Sequence, residues 1–174
     1  MGKTLVLRDV ELGDADYILA LRLDAKKSLH LSPTTNRLDD QQKWIVKYVT
    51  DTKQAYFVIL HNSEPIGTVR LYDAIEDSFC WGSWILSDRA PVQAAIETTL
   101  IVYTFAFKVL GFNKSHFDVR KVNTKVCKFH ERFGAKIVSE DDENYYYSID
   151  KEEAFSAMKR YKKYLDCDLK INWL

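Results

Sequence analysis

The segment from Asn123 to Ala135 reads NTKVCKFHERFGA and is the most informative stretch of this sequence. Asparagine is a residue type that caps helices and glycine is one that ends them, so Asn123 and Gly134 predict a short helix between them. His130 follows Asn123 by two helical turns, which places both side chains on one face. We therefore expect a helix that presents an amide and an imidazole in the same direction.

Strand patterns flank this helix on both sides. Residues 115–120, SHFDVR, precede it and alternate polar with apolar side chains. Residues 136–139 and 145–149 follow it and enclose an acidic turn, EDDEN. A strand before the helix and a β-hairpin after it are thus predicted. Residues 151–165 add a polar amphipathic helix.

The first part of the chain predicts a strand, two helices and another hairpin. Residues 4–10 alternate like a half-buried strand, and Gly13-Asp14 can start a helix over about residues 15–23. Asp39 or Asp40 is expected to cap the second helix. The strands of the hairpin are AYFVIL, residues 55–60, and GTVRLY, residues 67–72.

Two further elements separate this hairpin from the segment at Asn123. Residues 79–86, FCWGSWIL, predict a strand, in which Gly82 is typical of a bulge or of a close approach by another segment. A long helix is expected from Pro91 to about Leu110. Its apolar stripe is expected to contain Ile96, Leu100, Tyr103, Phe107 and Leu110.

Length and composition predict one domain, residues 1–174, in the cytoplasm. The 25 basic and 25 acidic side chains balance, so no broad field attracts nucleic acid or an anionic membrane surface. We find no signal-peptide pattern and no apolar run of about 20 residues. Cys80, Cys127 and Cys167 are widely spaced without a CxxC pair, which argues against disulfides and against a metal site.

The order strand, two helices, three antiparallel strands, helix, strand, helix, hairpin resembles that of the GNAT superfamily of N-acetyltransferases, over about residues 5–149. LRDVELGDAD at residues 7–16 and PIGTV at residues 65–69 look like the branch that acetylates ribosomal-protein N-termini and amino sugars. NTKVCKFHERFGA resembles the family pattern N-x-x-S/A-x-x-x-Y-x-x-x-G-F, with His130 at the position of the tyrosine.

The resemblance implies an α/β (α+β) fold with a mixed, mostly antiparallel sheet of six to seven strands flanked by helices. The core would span about residues 4–149, and residues 151–174 would form a C-terminal helical extension. The resemblance also implies an N-acetyltransferase that uses acetyl-CoA as the acyl donor and acts on a primary amine.

One motif departs from the family pattern. The family binds the cofactor pyrophosphate with Q/R-x-x-G-x-G/A, whereas residues 88–95 read DRAPVQAA, without glycine. Backbone N–H groups at a helix start can still bind an anion, and small side chains keep the approach open. The residues expected at the cofactor in this loop are Arg89, Val92, Gln93, Ala94 and Ala95.

In this family the pantetheine arm lies between the fourth and fifth strands. The resemblance places the backbone of Trp84, Ile85 and Leu86 beside the thioester, and places Asn123 near the pantetheine. His130 would protonate the departing thiolate, because an imidazole with a pKa near 6.5 is a better acid than a phenol near 10. The alternative is structural: a buried aromatic strand and a packed helix histidine.

The candidates for the acceptor side are Arg22, Arg70, Tyr72, Trp81 and the loop at residues 33–37. Aromatic rings and an arginine suit a nucleotide-linked amino sugar of surface-polysaccharide biosynthesis, since an arginine can bind its diphosphate. Two alternatives stay open, namely a protein N-terminal acetyltransferase and a catalytically silent acyl-CoA-binding module.

The group that deprotonates the amine is also left open. No glutamate occurs at residues 79–86, so ordered water is a candidate, and the helix dipole suffices to explain Glu97. The expected partner is a small-molecule amine, without nucleic acid or membrane insertion. The sequence leaves a homodimer open.

Overall fold

A computed structural model describes residues 3–29, 33–165 and 169–172 and contains one seven-stranded sheet, in the order β1-β2-β3-β4-β5-β7-β6. The strands are β1 (Leu5–Asp9), β2 (Ala55–His61), β3 (Glu64–Ile75), β4 (Ser78–Leu86), β5 (Lys114–Arg120), β6 (Lys136–Glu140) and β7 (Asn144–Asp150). Neighbouring strands are antiparallel except β4 and β5, which are parallel. The predicted mixed sheet is confirmed.

Helices cover both faces of the sheet. They are α1 (Ala15–Leu23), α2 (Ala25–Ser28), α3 (Leu38–Val49), α4 (Ala94–Thr104), α5 (Thr124–Arg132) and α6 (Lys151–Met158). Two 3₁₀ segments, Leu12–Asp14 and Lys159–Tyr164, precede α1 and follow α6. Within the described residues, every helix is too short or too polar to cross a membrane.

The larger hydrophobic core lies between the sheet and α4. Phe79 of β4 packs against Phe107 with ring centroids 5.7 Å apart, and Trp81 packs against Tyr103 at the same distance. Phe117 of β5 joins the same cluster. Large aromatic rings bury much apolar area, so this core fixes β4 and β5 relative to each other where they begin.

A smaller core lies on the opposite face, beneath α1 and α3. Ile18 and Ile45 pack there on Tyr56 and Val58 of β2. Tyr48 ties α3 to β2, because its hydroxyl accepts a hydrogen bond of 2.8 Å from the Tyr56 N–H. The strand residues of this core belong to β2, and farther along the same face parts of β3, β4 and β5 line an open cavity.

The α4 helix differs from the prediction at both ends. It begins at Ala94 rather than Pro91, since the Ala94 N–H closes a tighter turn on the Pro91 carbonyl at 2.8 Å. At its other end a π-helical turn runs from Phe105 to Val109. The wider turn rotates Leu110 outwards to 43% exposure, so Leu110 leaves the predicted apolar stripe.

Three smaller predictions also need correction. The cap of α3 is Arg37, and Asp39 and Asp40 lie in the first turn, where their charge favours the helix start. The short α2 was not predicted, because four residues carry too little periodicity. The helix predicted from residue 151 ends at Met158 and continues as a 3₁₀ segment.

Glu97 holds the first strand to α4. Its side chain is buried, one carboxylate oxygen accepts from the N–H groups of Thr4 (2.6 Å) and Leu5 (2.9 Å), and the other accepts from the Thr4 hydroxyl (2.6 Å). These N–H groups lie at the start of an edge strand. The helix dipole alone, which the sequence analysis gives as the reason for Glu97, therefore explains only part of its presence at this position.

Replacing Glu97 with glutamine should lower the free energy of unfolding by about 1–2 kcal/mol, because a neutral amide oxygen accepts from the Thr4 and Leu5 N–H groups more weakly than a carboxylate oxygen does. Urea unfolding measures this change. The control is Glu152→Gln, an exposed glutamate in the first turn of α6, which should cost less than about 0.5 kcal/mol. Equal effects of the two substitutions would contradict the strand-anchoring role.

Candidate active site

A gap between β4 and β5 is the main opening in the sheet. The two strands pair only where both begin, at Ser78–Lys114 and Phe79–Ser115. Beyond these pairs they diverge, and no other strand of the described chain fills the space. Backbone groups on the facing edges are thus left without the partners that a continuous sheet provides.

A bulge in β4 lies next to this gap. The register against β3 shifts between Thr68 and Arg70, and Ser83 has a positive φ of 45°. The Thr68 hydroxyl donates to the Ser83 carbonyl oxygen at 3.0 Å and holds the bulge in place. Gly67 lies so close to the Ile85 carbonyl that an added Cβ would collide with it. The bulge predicted at the strand glycine Gly82 is therefore present one residue after it, whereas the close approach of another backbone occurs at Gly67.

The residues expected beside the thioester, Trp84, Ile85 and Leu86, form the end of β4. Ile85 and Leu86 pair with β3, which leaves the opposite edge of β4 towards the gap. The Trp84 ring packs 5.2 Å from Trp81 and 5.4 Å from Phe129 of α5, and its indole N–H lacks a hydrogen-bond partner. Contact with the cofactor remains a prediction that this placement allows.

The loop before α4 presents free backbone N–H groups. Among the described residues, the amides of Val92, Gln93, Ala95 and Ile96 have no hydrogen-bond acceptor, and they lie at the positive end of the helix dipole. The Val92 side chain is 99% exposed, so its bulk does not cover them. The loop can therefore bind a phosphate group without glycine.

Arg89 and Ala94, the other two loop candidates, differ in position. Arg89 is exposed, and its charge lies close enough to Tyr17 of α1 to oppose the burial that raises the pKa of Tyr17 to about 12. Ala94 is buried, and its N–H is already bonded to Pro91. Arg89 can thus reach an anion at the surface. Ala94 has no free N–H, and its small side chain only leaves space at the start of the helix.

The α5 helix begins and ends where the sequence predicts. The Asn123 side chain accepts from the Val126 N–H at 3.4 Å, which confirms it as the N-cap. His130 lies on the buried face of α5, with its ring centroid 4.3 Å from Phe117 and 5.3 Å from Trp81. Its Nδ1 has no hydrogen-bond partner among the described residues.

Burial changes the chemistry expected of His130, because desolvation lowers its pKa to about 3. The ring is neutral at pH 7, so the imidazole pKa near 6.5 on which the sequence prediction relied is wrong for this structure. A neutral imidazole donates an N–H hydrogen bond but is a weak acid. A role as the acid requires negative charge on the nearby sulfur to raise the pKa, and that role stays a proposal.

A cavity of about 590 Å³ opens on the uncovered face of the sheet. All four predicted acceptor residues line it, as do Pro33, Thr34 and Thr35 of the predicted loop. Other lining residues, which sequence reasoning missed, are Trp44, Tyr56, Cys80, Gly82, Phe117 and Asp118. Single residues in strands carry no pattern that could have singled them out.

Arg70 is a fixed cation in this cavity. Its guanidinium lies 4.6 Å from the Tyr72 ring centroid and 5.1 Å from that of Trp44, and its Nε donates to Gln54 Oε1 at 2.6 Å. No carboxylate of the described residues forms an ion pair with it. Aromatic contacts and a neutral acceptor orient the guanidinium and leave its charge available to an anion.

Tyr72 and Gly82 form one wall. A Cβ added to Gly82 would lie 2.9 Å from the Tyr72 hydroxyl oxygen, so the glycine gives the phenol its place. Burial raises the pKa of Tyr72 and raises that of the neighbouring Cys80 thiol to about 11. Cys80 is therefore a neutral thiol at pH 7, without the thiolate that a nucleophile needs.

The lowered pKa of His130 predicts a pH-dependent stability. The unfolded chain takes up a proton on this residue near pH 6.5 and the folded chain only near pH 3, so the stabilisation is complete above about pH 6.5 and is lost as the pH falls. Between pH 7 and pH 5 the wild type should lose about 2 kcal/mol more unfolding free energy than His130→Phe. Parallel losses in urea unfolding would mean that His130 titrates normally.

Comparisons with known proteins agree with this geometry. A family model, the acetyltransferase (GNAT) domain, matches residues 4–136. The solved structure of FdhC, described as a nucleotide-linked sugar GNAT, is 42% identical, with a TM-score of 0.86 over 94% of this chain and 96% of that chain. No curated protein matches the chain.

More distant structures share the fold alone. The spermidine N-acetyltransferase of Vibrio cholerae in complex with CoA and spermine is 18% identical, with a TM-score of 0.77 over 87% of this chain and 98% of that chain. A dodecameric form of a spermidine N-acetyltransferase from the same organism is 20% identical, with a TM-score of 0.71 over 86% and 95%. The family model covers most of the present sequence, and the sheet has the predicted topology. The chain belongs to the GNAT acetyltransferase family and is an N-acetyltransferase that uses acetyl-CoA.

Proposed function

We propose that this N-acetyltransferase acts on the amino group of a nucleotide-linked amino sugar in surface-polysaccharide biosynthesis. The observation that carries the proposal is Arg70, held between Trp44 and Tyr72 without a carboxylate partner among the described residues. A guanidinium oriented in this way suits a diphosphate, and the aromatic rings beside it suit a nucleoside or sugar face. The 42% identical FdhC, described as a nucleotide-linked sugar GNAT, supports this acceptor class.

The donor would be held by backbone groups of the chain itself. The free amides between Val92 and Ile96 would bind the pyrophosphate, and the unpaired edge of β4 would hydrogen-bond the pantetheine as if it were a strand. Acetyl-CoA supplies an activated thioester. Trp84 Nε1 and His130 Nδ1 are buried polar atoms without partners beside the gap, and a bound donor can satisfy them.

The residues around the gap would then act on the charges of the reaction. N–H groups of the β4 edge would stabilise the negative charge on the carbonyl oxygen, which is worth about 3–4 kcal/mol for one preorganised donor. His130 would donate to the departing sulfur, whose charge raises the imidazole pKa. Asn123 would contribute indirectly, by capping the helix that carries His130.

A panel of acceptors tests the substrate class. Acetyl-CoA turnover, read by thiol release, is compared for a nucleotide-linked amino sugar, the free amino sugar, spermidine and a peptide with a free N-terminus. The nucleotide-linked sugar should have the highest kcat/KM, by at least about 100-fold over the free sugar, because binding of the nucleotide positions the amine. Equal or better turnover of spermidine or the peptide would overturn this assignment.

Arg70→Gln tests the residue on which the proposal rests. The kcat/KM for the nucleotide-linked acceptor should fall about 10–100-fold, the usual worth of a charge-assisted contact, while that for the free amino sugar changes little. Arg132→Gln, at the exposed end of α5 and outside the cavity, is the matched control. Equal losses for both acceptors would show that Arg70 supports the fold instead of the diphosphate.

Three further points remain proposals. A cytoplasmic location is supported by Cys80 and Cys127, which are free thiols; Cys167 lies outside the described residues. A homodimer is to be tested by light scattering after size-exclusion chromatography. One domain over residues 1–174 is supported by the sheet, which continues to Asp150, past the end of the matched family region.

A further inference from the structure

The cavity contains a carboxylate that has no role so far. Asp118 lies in the diverging part of β5, between the buried Phe117 and Val119, so it points to the opposite face of the sheet. There it lines the cavity together with Cys80 and Gly82 of β4. Asp118 therefore stands on the far side of the gap from the β4 bulge.

The charge of Asp118 is uncompensated within the described chain. Its carboxylate has no hydrogen bond and no ion pair among the described residues, and no group of three possible metal ligands occurs there. Asp40, the other carboxylate of the cavity, is engaged by the Thr35 hydroxyl at 2.8 Å. Asp118 is therefore available to a cation that enters the cavity.

The cavity is consequently polarised. The positive charges of Arg22 and Arg70 act on Tyr56 at one side and lower its pKa, against the raising effect of burial. Nearer to β5, burial raises the pKa values of Tyr72 and Cys80; the negative charge of Asp118 adds to this effect and the positive charge of Arg70 opposes it. An acceptor with an anionic group and an ammonium group can align with this field.

We propose that Asp118 binds the ammonium group of the acceptor and holds its nitrogen beside the acyl carbon in the gap, where the amine loses a proton to water and then attacks that carbon as the thiolate leaves. Transfer needs the nitrogen beside β4, and β4 itself has no carboxylate between Phe79 and Leu86. Asp118 supplies a carboxylate from β5, on the other side of the gap. The proposal rests on acyl transfer to an amine and holds for a sugar nucleotide or any other acceptor amine.

An ion pair of this kind has a kinetic signature. Pairing with Asp118 favours the protonated amine, so it lowers the KM for the acceptor and moves the rising limb of kcat to higher pH. Other titratable or charged groups face the same space and are common to wild type and variant. Those that line the cavity are Arg22, Asp40, Tyr56, Arg70, Tyr72 and Cys80, and Asp73, His116 and Tyr146 lie near it.

The test compares Asp118→Asn with Asp142→Asn, an exposed carboxylate in the turn between β6 and β7. With the best acceptor of the panel, Asp118→Asn should raise the acceptor KM about 10–100-fold and move the rising kcat limb to lower pH by about one unit. The KM for acetyl-CoA should stay within about twofold, and Asp142→Asn should resemble the wild type. An unchanged acceptor KM and an unchanged limb overturn the proposal.

A matched inhibitor separates recognition of the amine from recognition of the sugar. If a sugar nucleotide is the acceptor, the analogue with hydroxyl in place of the amine should inhibit wild type and Asp118→Asn equally, within about threefold. Equal weakening of inhibitor and substrate would overturn the assignment to the amine but leave the sugar-nucleotide function intact. If spermidine is the best acceptor, the function proposed above fails and the KM test of Asp118 still applies. A wild type inactive with every amine overturns both.

Discussion

The parallel pair of β4 and β5 closes only at its first two residue pairs, and the rest of the site depends on this interruption. Backbone N–H and C=O groups inside a protein need partners, and the antiparallel pairs of this sheet provide them for the other strands. Beyond Phe79, the edge of β4 that faces β5 has no neighbouring strand within the described residues to bond with. Ser83 in its left-handed conformation, held by the Thr68 hydroxyl, keeps β4 from returning to a regular pairing. An extended ligand can complete the sheet there.

The two faces of the sheet explain why donor and acceptor can meet at this gap. On the α4 face an aromatic core surrounds the gap, and the His130 ring packs against it. The side proposed for the donor is therefore lined by packed, buried rings. On the other face the core ends at β2, which leaves the surface of β3 to β5 for a polar cavity. Trp81 and Phe117 belong to the aromatic core and also line the cavity. The proposed donor and acceptor sites therefore lie on opposite sides of the gap.

Local patterns in the sequence predicted much of this arrangement. Asn123, the bounds of α1, both hairpins and the bulge after Gly82 depend on neighbouring residues, and the four residues expected on the acceptor side line one cavity. The neutral state of His130 depends on rings from two other elements, β4 and β5, so its charge could not be predicted from its own helix. The role proposed for Asp118 likewise depends on the gap between β4 and β5, which is visible only in the tertiary structure. The contact of Glu97 with β1 joins segments far apart in sequence, so local patterns could not predict it.

Amide hydrogen exchange with and without CoA tests the central claim, that the gap and the start of α4 form the donor site. Saturating CoA should slow exchange in residues 80–86, on the unpaired edge of β4, and in residues 92–96, where the free amides lie. Residues 55–61 of β2, paired on both sides, should be unaffected and serve as the internal control. Protection confined to other segments, or no protection at saturating CoA, would contradict the account.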